Sequence, residues 1–212
     1  MKNNPRVFVV DDDASVRSSL ANLLESADFE VEVFPRADLY LARAIHPGPA
    51  CIVLDVRMPG IDGLALQQRL AGEGRAEQIV FITGHGDIPM GIRAMKMGAI
   101  DFLPKPFDDA ALLAAVEQAL ARSAATRRIS SGQAEVRSRL ALLTPPELEV
   151  LRFVISGLLN KQIAGELGVA LRTVKRRRGS VMEKLGVVSV AELARLAQEA
   201  GVRPLPDGPK GP

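Results

Sequence analysis

Cysteine is nearly absent from this chain. One thiol, Cys51, in 212 residues excludes an internal disulfide and a cysteine-rich zinc site. It lies in the apolar run "CIVLD", where a buried structural thiol is the first reading and a reactive one the second. So sparing a use of cysteine suits a reducing cytoplasm. Long hydrophobic runs are missing too. No window of about 18 uninterrupted apolar residues occurs, so no membrane span is expected. The apolar run of "MKNNPRVFVVDDD" is too short for a signal peptide and meets acid at once. Net charge is also slight, at +2, but it conceals a split. Residues 1–122 carry 12 Lys+Arg against 17 Asp+Glu, a net of −5, and residues 123–212 carry 15 against 8, a net of +7. Two modules with different partners are expected, the second partner a polyanion.

The first part alternates two kinds of segment. Short apolar runs stand at "VFVV" (7–10), "VEVF" (31–34), "CIVL" (51–54), "IVFI" (79–82) and "IDFL" (100–103). They are rich in β-branched and aromatic residues and short enough to be buried strands. Stretches of helical length separate them. Ser15 to Ala27 brings Val16, Leu20, Leu23 and Leu24 towards one face, and Asp62 to Ala71, Asp87 to Met97 and Asp108 to Ala121 read alike. Alternating βα units imply a parallel sheet with helices on both faces. Five units in residues 1–122 suit a flavodoxin-like, five-stranded, doubly wound α/β fold. Ligands of such sheets sit outside the carboxyl ends of the strands.

Residues 123–141 are polar and rich in small side chains, and form a linker candidate. Gly132 and the neighbouring serines argue for a flexible joint, whereas the second half could extend a helix. Residues 142–203 read as a small all-α domain. "TPPE" (144–147) is a capping box with Pro at the first helical position, and the helix it opens runs to about Ser156. "NKQIAGELG" starts with Asn160 as cap and stops at Gly168. The turn "GVA" precedes "LRTVKRRRGSVMEKLG", and "SVAE" (189–192) is a second capping box, opening a last helix that ends at Gly201. The tail, 204–212, is Pro/Gly-rich and expected to be disordered.

Chemistry gathers at the proposed strand ends. The first strand runs into Asp11, Asp12 and Asp13, the third ends at Asp55, the fourth at Thr83, and the fifth leads to Lys105. A doubly wound sheet brings these ends to one crevice. Carboxylates there make a hard oxygen site for Mg²⁺, and a divalent cation would offset their mutual repulsion. An Asp beside Mg²⁺, a Lys and a hydroxyl has what phosphoryl transfer to a carboxylate needs. Asp55, alone at its strand end, is the acceptor. Each residue has a plainer reading: a strand-end Asp as a turn former, a solvated Lys, a Thr bonded locally. The joint pattern is what is specific.

On "VVDDD", "LDVRMPG", "ITGHGD" and "DFLPKPF", residues 5–122 resemble the receiver domain of two-component response regulators. That resemblance implies phosphorylation of Asp55 by a histidine kinase. It implies Mg²⁺ held by Asp12 and Asp55, by Asp11 largely through water, and by the backbone carbonyl of Arg57. Thr83 and Lys105 would contact the phosphoryl oxygens, and Phe102 would be the aromatic switch, unless it is an ordinary core residue. Lys105–Pro106 would be a cis peptide.

In the basic half, helix, "GVA" turn and helix over 160–185 make a helix-turn-helix candidate. Arg172, Lys175, Arg176 and Gly179 follow i, i+3, i+4, i+7 spacing on one face. Val174, Val181 and Leu185 share another, to be buried. Such a basic stripe can enter a major groove and read guanine edges. Arg177 and Arg178 lie to the sides, as phosphate clamps. Taken alone, "KRRR" is equally a solvated face. "LT..E.EVL", "G..NK.IA..L", "TVK" and "KLGV" resemble the LuxR-type helix-turn-helix of the FixJ/NarL class, and the receiver part resembles the FixJ/StyR-like branch. The resemblance adds Lys161 and Thr173 to the DNA-contacting set and makes the last helix, about 190–200, a dimer contact. Three features depart from it. Ala170 stands where a Ser or Asp cap is usual, which costs about 1 kcal/mol. Arg176 and Arg177 replace a small apolar residue and a histidine. Gly179 falls inside the helix.

The resemblance therefore implies a cytoplasmic, non-enzymatic transcription factor. Phosphorylation would favour a homodimer through residues 87–105 and binding to paired double-stranded DNA half-sites, with RNA polymerase a possible further partner. The charge split is compatible with a closed contact between the modules or with two unrelated partners. Two rivals are a Mg²⁺-dependent aspartyl-phosphate phosphatase, which would need an acid at position 57, where Arg stands, and a regulator that binds DNA independently of phosphate.

Overall fold

The computed structural model describes residues 4–84 and 88–205 of the chain. Its contacts divide it into two compact units, up to Arg128 and from Ile129. The expected helix start at Asp87 and the tail from residue 206 lie outside the described residues.

The first unit runs β1 (Arg6–Val10), α1 (Ala14–Ser26), β2 (Glu30–Phe34), α2 (Ala37–Ala42), β3 (Ala50–Asp55), α3 (Gly63–Gly72), β4 (Gln78–Thr83), α4 (Ile88–Lys96), β5 (Asp101–Pro104) and the start of α5 (Asp109–Leu140). The strands form one five-stranded sheet, ordered β2-β1-β3-β4-β5, with every pairing parallel. The order reverses between β1 and β3, so the carboxyl ends of those strands flank the crevice where such sheets bind ligands. All six residues of β3 are buried. Side chains alternate across the sheet: Phe8 and Val10 enter one core with Phe34, Tyr40, Ile52, Leu54 and Phe81, and Val7 and Val9 enter the other with Leu20, Leu24, Val53, Val80, Ile82, Leu112 and Val116. Burial on both faces explains the unbroken apolar runs. Each such side chain contributes about 1.5–3 kcal/mol.

The α2 helix is an element the sequence pattern did not reveal. Its Tyr40 packs edge-on against Phe8 and Phe34. Beside it the fully buried Glu77 carboxylate is held by Arg43 at 2.9 Å and Arg75 at 2.8 Å, and the Arg43 guanidinium lies 3.8 Å from the Phe8 ring centre. A buried carboxylate survives only with such partners. Burial raises the Glu77 pKa, but its bonds to Arg75 outweigh that and hold it below the usual value.

The proposed linker is helical. In the first unit, buried Ser123 on α5 accepts from Ala50 N at 3.0 Å and donates to Ala76 O at 3.0 Å. Arg127 donates to the carbonyls of His46 at 2.8 Å and Pro47 at 3.1 Å.

The second unit contains the end of α5 and then α6 (Pro145–Ile155), α7 (Asn160–Glu166), α8 (Leu171–Leu185) and α9 (Val190–Glu199). Val150, Leu151, Val154, Ile163, Val174, Val181, Leu185 and Leu193 form its core, and Val136 and Leu140 of α5 pack on it. Leu159, not Asn160, occupies the cap position of α7. The Asn160 amide oxygen is instead taken by Arg178 at 2.8 Å, a distant partner that displaces the local cap. Ser189 caps α9 through Glu192 N, but the Glu192 carboxylate reaches Val188 N rather than closing a box on Ser189. Of the tail, Leu205 N donates to Ser156 Oγ at 3.0 Å. Among the described residues no helix is long and apolar enough to cross a membrane.

Candidate functional site

The carboxyl ends of β1, β3 and the β5–α5 loop meet as the sheet topology requires. The Lys105 ammonium lies 2.7 Å from Asp11 Oδ2 and 3.1 Å from Asp55 Oδ1. Asp11 and Asp55 are both buried, so one half-buried lysine serves two carboxylates. Asp11 is held further by Asp13 N on its Oδ1 at 2.8 Å, and Arg17 donates to the Asp11 carbonyl at 2.7 Å. Asp55 Oδ2 accepts from Arg57 N at 2.8 Å. Burial pushes the Asp55 pKa up, and the hydrogen bond and charge of Lys105 do not cancel it. Burial pulls the Lys105 pKa down, but its bonds to Asp11 and Asp55 prevail and it is raised. The pocket thus carries more negative charge than its own cation neutralises.

Thr83 is buried at the end of β4, and its carbonyl accepts from Lys105 N at 2.7 Å. The Lys105–Pro106 peptide is cis. Phe102 is half-buried and packs against the first core, its ring centre 6.2 Å from that of Phe81. A Cβ on Gly91 of α4 would stand 3.2 Å from Phe102 Cδ1. The ring therefore sits between the core and a helix left bare at that point.

The three consecutive acids divide. Asp11 points into the pocket. Asp13 caps α1, its Oδ1 accepting from Ser15 N at 2.7 Å and Ser15 Oγ at 2.6 Å, and these bonds, the Ser15 hydroxyl first, lower its pKa. Asp12 is exposed and makes no hydrogen bond or ion pair among the described residues. The expected cluster of Asp11, Asp12 and Asp55 is accordingly not gathered: among the described residues no three His, Cys, Asp or Glu side chains come together to hold a metal. Lys105 lies between Asp11 and Asp55, and Asp12 stands exposed beside them.

Pattern reading missed Gly63. A Cβ there would collide with the Asp55 carbonyl oxygen and stand 3.0 Å from Phe81 Cε1. The Gly in "DGLA" is the signal, at the first position of a helix directly after its cap Asp62, where a side chain is usual.

In the second unit, α8 presents Arg172, Lys175, Arg176 and Gly179 to solvent, with Thr173 and Arg177 half-buried beside them. Val174, Val181 and Leu185 are buried on the opposite side. Lys161 of α7 is exposed as well. Arg178, expected as a phosphate clamp, is half-buried and donates through Nη1 to Asn160 Oδ1 at 2.8 Å. Ala170 caps α8 without a side-chain bond, and Gly186, at φ +64°, ends it. That left-handed turn is one that glycine adopts without strain.

Two family descriptions match the chain: "Response regulator receiver domain" over residues 7–117 and "Bacterial regulatory proteins, luxR family" over residues 141–197. The transcriptional regulatory protein FixJ of Azorhizobium caulinodans is 47% identical over 201 residues, 95% of each chain. Among solved structures, the response regulator StyR is 52% identical at a TM-score of 0.84, covering 92% of this chain and 98% of that one. Full-length FixJ from B. japonicum is 39% identical at a TM-score of 0.54, covering 94% and 98%. With a Lys105-bridged carboxylate pair at the carboxyl ends of the strands and a basic helix-turn-helix in the second unit, the chain belongs to the FixJ/NarL class of two-component response regulators, as a transcription factor with a receiver domain and a LuxR-type DNA-binding domain.

Proposed function

We propose that Asp55 is the phosphoacceptor of this regulator and that its phosphorylation by a histidine kinase controls promoter binding through α8. The observation that carries the reading is the shared lysine, with Lys105 Nζ at 2.7 Å from Asp11 and 3.1 Å from Asp55. An Asp55 oxygen attacks phosphorus, and the donor's P–N bond breaks with its electron pair returning to the donor nitrogen. Lys105 then exchanges a carboxylate partner for a phosphoryl oxygen. Thr83, buried at the adjoining strand end, is the candidate hydroxyl donor to a second.

Receiver domains of this family generally bind Mg²⁺ at this place. The residues fit it: two buried carboxylates share one ammonium, leaving a net negative charge among oxygen donors that a divalent cation would offset. Asp11, Asp55, the Arg57 carbonyl and the solvent-exposed Asp12 are the candidate oxygen donors. The cation would neutralise charge on the transferring group.

Phe102 is the candidate switch residue, since its ring is only half-buried and faces bare Gly91. Homodimerisation through α4 and β5 is supported by exposed apolar residues on α4: Ile88 is 80% exposed, Ile92 50% and Met95 45%. On α8, Arg172, Lys175 and Arg176 are the candidate base readers, with Arg177, Thr173 and Lys161 beside them towards phosphate. Arg57, at the position where a phosphatase would need an acid, favours a regulator over an enzyme. The cytoplasm is the compartment this reading requires, and contact with RNA polymerase is a further consequence of it.

Acetyl phosphate with Mg²⁺ tests the reading. Intact-mass measurement is expected to show one phosphoryl group, absent in Asp55→Ala, and footprinting on genomic fragments is expected to strengthen with the phosphodonor. Uptake that survives in Asp55→Ala refutes the assignment of the acceptor. Footprints indifferent to the phosphodonor favour the phosphate-independent alternative.

A further inference from the structure

The carboxyl-terminal half of α8 is tied down from three sides. Arg178 donates to Asn160 Oδ1 of α7 at 2.8 Å. Ser180 Oγ and Lys184 Nζ donate to the two carboxylate oxygens of Glu147 on α6, each at 2.6 Å. Arg139, in the last turn of α5, donates through Nη1 to the main-chain carbonyl of Leu185 at 3.2 Å. Its Nη2 is braced by Glu135 Oε1 at 2.6 Å.

The final carbonyls of a helix have no partner inside the helix, and a cation there also opposes the negative end of the dipole. Arg139 meets both needs. At the other end of α8 Ala170 makes no side-chain cap, and the buried Val174 holds that half by packing. Gly179, an interior weak point, has a tethered side chain on each side of it, Arg178 and Ser180. Among the described residues the side-chain hydrogen bonds that fix the helix thus stand at its far end, and the exposed Arg172, Lys175 and Arg176 project from the other half.

We propose that Arg139 is a positioning residue for DNA reading, holding α8 by its last carbonyl from the end of α5 so that the basic face meets base edges at a defined depth. The inference rests on the assignment of α8 as the DNA-facing helix. Phosphate attraction follows charge and tolerates small displacements, whereas bidentate contacts to base edges do not. Loss of the anchor should consequently reduce discrimination between sequences more than general affinity.

The test uses the full chain and fluorescence anisotropy on two duplexes, one selected by the wild-type protein from a random library and one scrambled. Arg139→Ala is expected to lose about tenfold on the selected duplex and little on the scrambled one. Arg139→Lys, which keeps a donor and the charge, is expected to recover most of the loss. Arg137→Ala removes an exposed arginine two residues earlier and is expected to change neither affinity. Equal losses on both duplexes in Arg139→Ala, no loss on either, or the same loss in Arg137→Ala overturns the proposal. Should Arg139→Ala fold poorly, Glu135→Ala leaves the guanidinium in place but unbraced; a smaller loss confined to the selected duplex supports the proposal, and unchanged discrimination overturns it. Lys175→Ala separates the two levels. If it binds the selected duplex like wild type, the DNA face is misassigned and the proposal falls with it. If it is impaired while Arg139→Ala is not, the proposal alone falls.

Discussion

Gly63 and Asp55 share a space that admits a carbonyl oxygen and no side chain. A Cβ on Gly63 would collide with the Asp55 carbonyl, and the Gly63 N–H donates to Val56 O at 2.9 Å, so α3 begins in contact with the end of the strand that carries Asp55, the proposed acceptor. Gly63→Ala must move either the helix or the end of β3. We expect it to lose about 1–3 kcal/mol of stability in urea unfolding and to take up phosphate from acetyl phosphate more slowly. Wild-type values for both would mean that the close approach is not required.

The pH dependence of the pocket has a definite sign. The folded pKa of Asp55 lies above the ordinary 3.8, with burial as the main cause. A raised acid contributes stability that is present below the unfolded value and is lost as pH rises through the folded one. At neutral pH the ionised Asp55 is therefore a net burden. Asp55→Asn should stabilise the α/β unit there, on the order of 1 kcal/mol, and the gain should shrink as the buffer is made more acid through that window. Denaturation midpoints measured across the acid range check this, and a variant less stable than wild type at neutral pH contradicts it.

Glu147 has the opposite sign. The Lys184 ammonium, then the Ser180 hydroxyl and the Thr144 N–H, hold its pKa at about 2, below the usual 4.5. Its contribution is present above 4.5 and fades as pH falls towards 2. Glu147→Ala strands four donors from two segments, Thr144 N and Oγ1 before α6 and Ser180 Oγ and Lys184 Nζ on α8, and we expect the helical unit to lose about 1–3 kcal/mol at neutral pH. Thermal melts followed by circular dichroism should show the gap between variant and wild type closing in acid; a constant gap would place the contribution in packing instead.

Arg178 and Lys161 should part in their response to salt. Lys161 is exposed and Arg178 is bonded to Asn160. The slope of log affinity against log salt is expected to drop by about 1 in Lys161→Ala and to stay unchanged in Arg178→Ala. A steep dependence in the wild type belongs to the same expectation, and equal slopes for the two variants would return Arg178 to the phosphate contacts.

Much of the architecture was legible because burial on both faces writes a strand as an unbroken apolar run. All five strands appear where such runs stand, each a residue or so from the expected ends. The α2 helix was not legible: it has six residues, and its cap position, Arg36, makes no side-chain cap bond to the helix backbone. Gly132 and its neighbouring serines suggested a break in α5, yet Ser123 and Arg127 anchor the helix on one side of them, and Val136 and Leu140 pack into the second core on the other. Local breakers yield when packing on either side favours continuity. In the pocket, residue type and strand order were enough to bring Asp11, Asp55 and Lys105 together. The exposure of Asp12 was not readable, since three consecutive acids at a strand end look alike in the sequence and only the fold separates the buried Asp11 and the capping Asp13 from it. Arg178 likewise needed a partner 18 residues away in the chain.

The lone thiol also has a practical consequence. Cys51 sits inside the fully buried β3, and burial pushes its pKa far up. An alkylating reagent can therefore reach it only when the sheet opens. Labelling kinetics would time the breathing of the sensory half alone, blind to whatever the helices after residue 140 are doing, with no engineered probe.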